Sequence, residues 1–190
     1  LWVVGSHGLK RKNAKDDRDH AGNAKRLAKL SLDRNRRLLA RLPITTDASG
    51  APRLVKEAGD GRTALRLEGD AESNLLTQAL ADDRHFGAYM AIPGKDNGFD
   101  IEGLAVDGKR LLLGLRGPVL RGWSAVLEIA VEATAGHLRL VALDDDGTLI
   151  RKHFLQLDGL GIRDLHFSGD DLFILAGPTM VLNGDIRVFK

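Results

Sequence analysis

The chain has 190 residues, 43% apolar and 28% charged, a composition that fits a domain with its own core and excludes a disordered segment. It contains no cysteine, which rules out disulfides, thiolate metal sites and a thiol nucleophile. Net charge is only +2 but uneven: Lys10 to Arg41 holds 12 of the 28 basic and 4 of the 26 acidic residues, a local net of +8.

The opening "LWVVGSHG", Leu1 to Gly8, reads as a buried strand entering a turn. It has neither an initiator Met nor a signal-like stretch, so the expectation is that the true N-terminus lies upstream. No apolar run approaches the roughly 18 residues of a membrane-spanning helix. A soluble protein is expected, with the cytoplasm favoured and the compartment itself left open.

"KRKNAKDDRD", Lys10 to Asp19, reads as a solvated loop whose Lys10, Arg11 and Lys12 form a basic patch. The sharper reading is a footprint for nucleic acid or acidic lipid. Interleaved aromatics are missing, which counts against nucleic acid. Asn23 to Leu42 begins with helix formers and ends in a segment that suits an outer strand. "TTDASGAPRLVKEAGDGR", Thr45 to Arg62, is turn-rich and reads as a surface loop. Asp70 to Leu80 predicts a short helix capped by Asp70. Residues 10–92 thus read as an insertion-rich region between repeat units.

The second half repeats itself. "GFDIEGLAVDGKRLLLGLRGPV", Gly98 to Val119, returns as "GLGIRDLHFSGDDLFILAGPTM", Gly159 to Met180. Ile101, Leu104, Gly108 and the triplet Leu111 to Leu113 align with Ile162, Leu165, Gly169 and Leu172 to Ile174, a period near 60 residues. The opening "LWVVGSHG" matches the second half of this unit. Each unit reads as a strand, a Gly turn and a second apolar strand, with Trp2, Phe173 and the Leu triplet in the core. "SAVLEIAVEA", "HLRLVAL" and "IRKHFLQL" alternate as half-exposed strands do. Asp144 to Gly147 between the last two lacks the remaining positions of a calcium loop and reads as a hairpin turn. Four or so antiparallel strands per unit predict an all-β fold, a β-propeller with about three blades and a short helical insertion. A ring needs more blades, so one domain incomplete at both ends is expected.

"GSHGLKRK", "DIEGLAVDGKRLLLGLRGPVLRG", "KHFLQLDGLGIRDL" and "ILAGPT" resemble the motifs of the bacterial domain-of-unknown-function family numbered 3616. The resemblance covers nearly the whole chain and implies a propeller-like β domain without implying a reaction. A weaker similarity, confined to "EGLA", Glu102 to Ala105, is to the esterase-like phytase propellers.

Propeller geometry gathers the site candidates. Glu102 begins an inner strand and Arg163-Asp164 occupy the same place one unit later, while Ser6-His7, Arg116 and Thr179 end second strands. All should meet at one mouth of the central channel. One reading is that carboxylates and arginines pair there to fasten blades. In the other, Arg116, Arg163 and His7 bind a small anion, while Glu102 and Asp164 hold a hard cation such as calcium or act as acid and base. Ser6 and His7 are adjacent on an extended segment and cannot form a nucleophile–base pair unaided. The six histidines show no zinc spacing, and "DGLGIRD" enters a strand and is not a dinucleotide loop. The favoured function is therefore a binding or scaffold module with a charged channel mouth. The alternative is a propeller hydrolase, phytase-like or esterase-like, acting on a phosphate or carboxyl ester.

Overall fold

The computed structural model describes residues 1–190. Strands take 44% of the residues and helices 14%, so the all-β class holds. The first half contains β1 (Trp2–Val4), β2 (Lys10–Arg11), α1 (His20–Leu27), β3 (Leu30–Ser31), β4 (Leu39–Arg41), β5 (Ile44–Thr46), β6 (Pro52–Leu54), β7 (Leu65–Arg66) and α2 (Leu75–Leu80). The second half contains β8 (Asp100–Asp107), β9 (Arg110–Gly117), β10 (Trp123–Thr134), β11 (His137–Val141), β12 (Ile150–Gln156), β13 (Gly161–Ser168), β14 (Asp171–Gly177) and β15 (Arg187–Phe189).

Three sheets follow one another along the chain. The first has the order β1-β4-β7, the second β8-β9-β10 with β11 and β12 on the far edge of β10, and the third β13-β14-β15. The sheets do not close on one another. The repeated segments are the hairpins β8–β9 and β13–β14, each turning at a glycine with positive φ, Gly108 at 58° and Gly169 at 62°.

The second sheet is buried on both faces. Leu111, Leu113, Leu115, Leu127 and Ile129 face the first sheet and α2, packing with Leu39, Leu67, Leu76, Leu80, Phe86 and Phe99. Ala105 and Val126 face the third sheet and pack with Ile162, Leu165, Ile174 and Ala176. This explains why the central strands are apolar without alternation. The hairpins touch through glycines. A Cβ on Gly114 would lie 2.4 Å from Ile162 Cγ2, and one on Gly103 would lie 2.8 Å from Leu165 Cγ. Trp2 and Phe173, expected in the core, are only half-buried.

Several local expectations need correction. Asp144 to Gly147 does not turn a hairpin. β11 and β12 are both antiparallel to β10, on Ala130–Thr134 and Trp123–Ile129 respectively, so the loop is an excursion between two pieces of one outer strand. Thr45 to Arg62 is not only loop, because β5 and β6 pair within it as a hairpin. Within residues 10–92, β4 and β7 complete the first sheet with β1. Lys10 and Arg11 pair with β3, so the basic run is not a free loop. The first helix starts at His20, before Asn23, and its N-cap is Asp19. α2 is capped by Asn74 through a capping box with Thr77, and not by Asp70, which instead accepts the Glu72 and Ser73 amides in the preceding turn.

Candidate functional site

The hairpin register decides what meets at the strand ends. Asp100 pairs with Gly117, so Asp100 and Glu102 at the start of β8 lie beside Arg116 at the end of β9. Arg116 Nη1 donates to Glu102 Oε1 at 3.0 Å and lies 3.5 Å from Asp100 Oδ2. From the third sheet, Arg163 Nη1 donates to the other Glu102 oxygen at 3.0 Å, while its Nη2 donates to the Pro178 carbonyl at 2.7 Å. One carboxylate therefore binds arginines of two sheets. The Arg116 side chain is only 3% exposed, which makes these contacts strong in a weakly polarisable setting. The Nε atoms of Arg116 and Arg163 are buried without an acceptor, so the cluster keeps two donors in reserve.

Ser6 joins the cluster at Asp100, to which its side chain hydrogen-bonds, while its hydroxyl oxygen accepts from Arg36 Nη1 at 3.1 Å. The Ser6 carbonyl accepts the Ile101 amide at 2.9 Å, which pins the turn after β1 to the start of β8. Burial pushes the Asp100 carboxyl up to about 6, the neighbouring Glu102 adds to this, and Arg116 and Arg36 oppose it.

His7 lies behind the cluster, buried, with φ of 58°. Its Nδ1 is 2.8 Å from the Gly5 carbonyl, which only accepts, so the proton sits on Nδ1. Nε2 then accepts from Asn74 Nδ2 at 2.9 Å, and the same amide donates to the Arg37 carbonyl. Asn74 Oδ1 caps α2, so His7 ties the β1 turn to that helix. Burial pulls the His7 imidazole down to about 4 and keeps it neutral.

Asp164 is the sequence candidate that stays outside. It is exposed, and its carboxylate accepts only the Leu165 amide, at 2.9 Å. No group of three or more acidic or His side chains is close enough to hold a metal ion, and both Glu102 oxygens already take arginines. The sequence-based pairing of Glu102 with Asp164 around calcium thus has no geometric counterpart.

Beside the cluster lies a cavity of about 350 Å³ whose lining includes Lys10, Arg11, Arg36, Lys95, Asp96 and Val181. Arg36 belongs to both cavity and cluster. Arg11 pairs with Asp96 at 2.6 Å, and Asp33 pairs with both Lys10 and Arg36. Lys12 is elsewhere, in a separate basic pocket at α1. Sequence reasoning missed Asp100, Arg36 and Asn74. Asp100 was accessible, since it stands two residues before Glu102 on one strand; Arg36 and Asn74 had no local signal.

The chain belongs to the family described as "Protein of unknown function (DUF3616)", whose profile matches residues 1–190. The resemblance drawn from the repeated motifs holds over the whole chain, whereas the likeness to esterase-like phytase propellers is not shown. No curated protein and no solved structure matches.

Proposed function

We propose that the chain is a binding module of β-propeller type whose strand-end face takes a small anionic ligand. The observation that carries this is the cavity beside the Glu102 cluster, where four cations, Lys10, Arg11, Arg36 and Lys95, meet two carboxylates, Asp96 in the lining and Asp33 paired with Lys10 and Arg36. Arginine and lysine converging on a concave site favour phosphate or carboxylate.

The propeller reading is supported by the meander order of the second sheet and by the face-to-face contact of the two hairpins. On the far face of the third sheet, Leu175 and Val188 are exposed and directly opposite each other. A further sheet of the same kind would cover that surface. In this reading the Glu102 pairs fasten neighbouring blades, and ligand binding falls to the cavity.

Hydrolysis is the second reading, favoured by one feature. Asp100, with its carboxyl raised to about 6 beside Glu102, can carry a proton near neutrality. Ser6 works against this through a side-chain hydrogen bond that pulls the Asp100 carboxyl down, and the His7 ring is engaged at both nitrogens.

Melting curves with citrate or phosphate, against chloride at matched ionic strength, test the proposal. Binding to the folded state raises the melting temperature by mass action, and Arg36→Gln should remove that rise. An unchanged response in Arg36→Gln would defeat it. Turnover of p-nitrophenyl phosphate that is lost in Asp100→Asn would establish the hydrolase instead.

A further inference from the structure

A second basic pocket lies against α1 and shares no residue with the strand-end cavity. It encloses about 200 Å³ and is lined by Lys12, Arg18, Gly22, Lys25, Arg26 and Lys29, five cations and no carboxylate. The ion pairs of this region join Lys10 and Arg36 to Asp33, and Arg11 to Asp96. None of them uses a pocket cation.

The frame of the pocket is fixed without the charged groups being neutralised. The Lys12 amide donates to the Lys29 carbonyl at 3.0 Å, joining the two ends of the segment. Asn23 grips the Lys15 backbone from both sides, accepting its amide and donating to its carbonyl, each at 2.9 Å. Arg26 Nε donates to the Asn13 carbonyl at 2.8 Å, which turns that guanidinium into part of the wall and leaves its terminal nitrogens unassigned. The one acidic side chain engaged here, Asp19, is used on the Gly22 amide as the helix cap. α1 itself buries no residue, so core packing does not account for its place.

Five like charges around one concavity repel one another, and an anion seated among them removes that repulsion while gaining charge-assisted hydrogen bonds. We propose that this pocket binds a phosphate group, in the form of pyrophosphate or a phosphate ester. Phosphate suits it because its tetrahedrally arranged oxygens and higher charge offer more acceptors to more walls at once than the two oxygens of a carboxylate. The pocket is local, bounded by residues of the 12–29 segment alone. A continuous basic stripe with aromatic platforms, as single-stranded nucleic acid requires, is a different arrangement.

Calorimetric titration of the full chain with pyrophosphate tests this. Two binding events are expected, one in the strand-end cavity that Arg36→Gln removes and one here that Lys25→Gln and Lys29→Gln each weaken about tenfold. Arg36→Gln should leave this second event unchanged, which separates it from the strand-end cavity. Vesicles containing phosphatidic acid, competing with pyrophosphate and sensitive to the same two substitutions, would assign the phosphate to a lipid headgroup. Their failure to compete would assign it to a soluble ligand. No binding above that of chloride at matched ionic strength would overturn the proposal. So would tighter binding of an oligonucleotide in which Lys10→Gln costs as much as Lys25→Gln.

Discussion

Glu102 and Arg163 stand 61 residues apart, in different sheets, with a 3.0 Å hydrogen bond between them. Arg163 uses two nitrogens at once, one on Glu102 and the other on the Pro178 carbonyl. Arg163→Lys keeps the charge but offers one nitrogen for both acceptors. We expect it to lower unfolding free energy by about 1–2 kcal/mol, seen as a shifted urea midpoint with an unchanged slope. A midpoint equal to that of wild type would mean that the two contacts are not made together in solution.

The stacking of the two hairpins makes a second prediction. Gly114→Ala places a methyl group 2.4 Å from Ile162 Cγ2, so one sheet must move or Ile162 must leave its rotamer. The expected loss is about 1–3 kcal/mol of stability, typical of overpacking. Ile162→Ala in the same chain should cost less than it does in wild type, because the new methyl group partly fills the space. Additive losses would place the hairpins further apart than the structure does.

The hairpins are the part of the fold most legible in the sequence. The turn glycines, Gly108 and Gly169, and the apolar triplets after them are local signals with one structural meaning. The Asp144 to Gly147 run gave a turn signal as well, but a tight turn closes a hairpin and an excursion equally well. Only the pairing of β12 with β10 distinguishes them, and that is long-range. Within the site, Glu102, Arg116 and Arg163 were legible because the repeat fixed their register. The link from His7 to Asn74 spans 67 residues between unlike elements, so nothing near either residue announces it. α1 escaped correct placement because its cap at Asp19 lies inside a charge run and no apolar stripe marks its face.

Two buried titrations oppose each other between about pH 4 and 6. The Asp100 carboxyl, raised to about 6, holds its proton more tightly folded than unfolded. The stability it contributes is complete at low pH and is lost as pH climbs to 6. His7, lowered to about 4, is neutral in the fold while the unfolded chain protonates, so its effect is a stability that rises across nearly the same window. Each displacement corresponds to about 3 kcal/mol, and together they should leave the wild type nearly flat there. Asp100→Asn removes the falling contribution and should make stability climb with pH. His7→Asn, which tolerates the left-handed backbone, removes the rising one and should make stability fall. Urea midpoints at several pH values between 4 and 7 decide this, and three parallel profiles would contradict it.

α1 should be separable from the core. Asp19→Ala removes its cap, worth about 1 kcal/mol to the helix. No α1 side chain is buried, so global stability should move by less than about 0.5 kcal/mol. Amides of Asn23 to Ala28 should exchange faster while those of β10 do not change. Coupled acceleration in β10 would show that the helix is part of the cooperative unit.

The most direct test of the whole arrangement is a double-mutant cycle on Glu102→Gln and Arg163→Gln. If the second and third sheets are clasped at their strand ends, removing either partner strands the other, and the double variant recovers part of the loss. A coupling energy of about 1 kcal/mol or more is predicted for a partly buried pair. Losses that add to within about 0.3 kcal/mol would contradict the clasp and, with it, the assignment of ligand binding to the cavity instead of the ion-pair cluster.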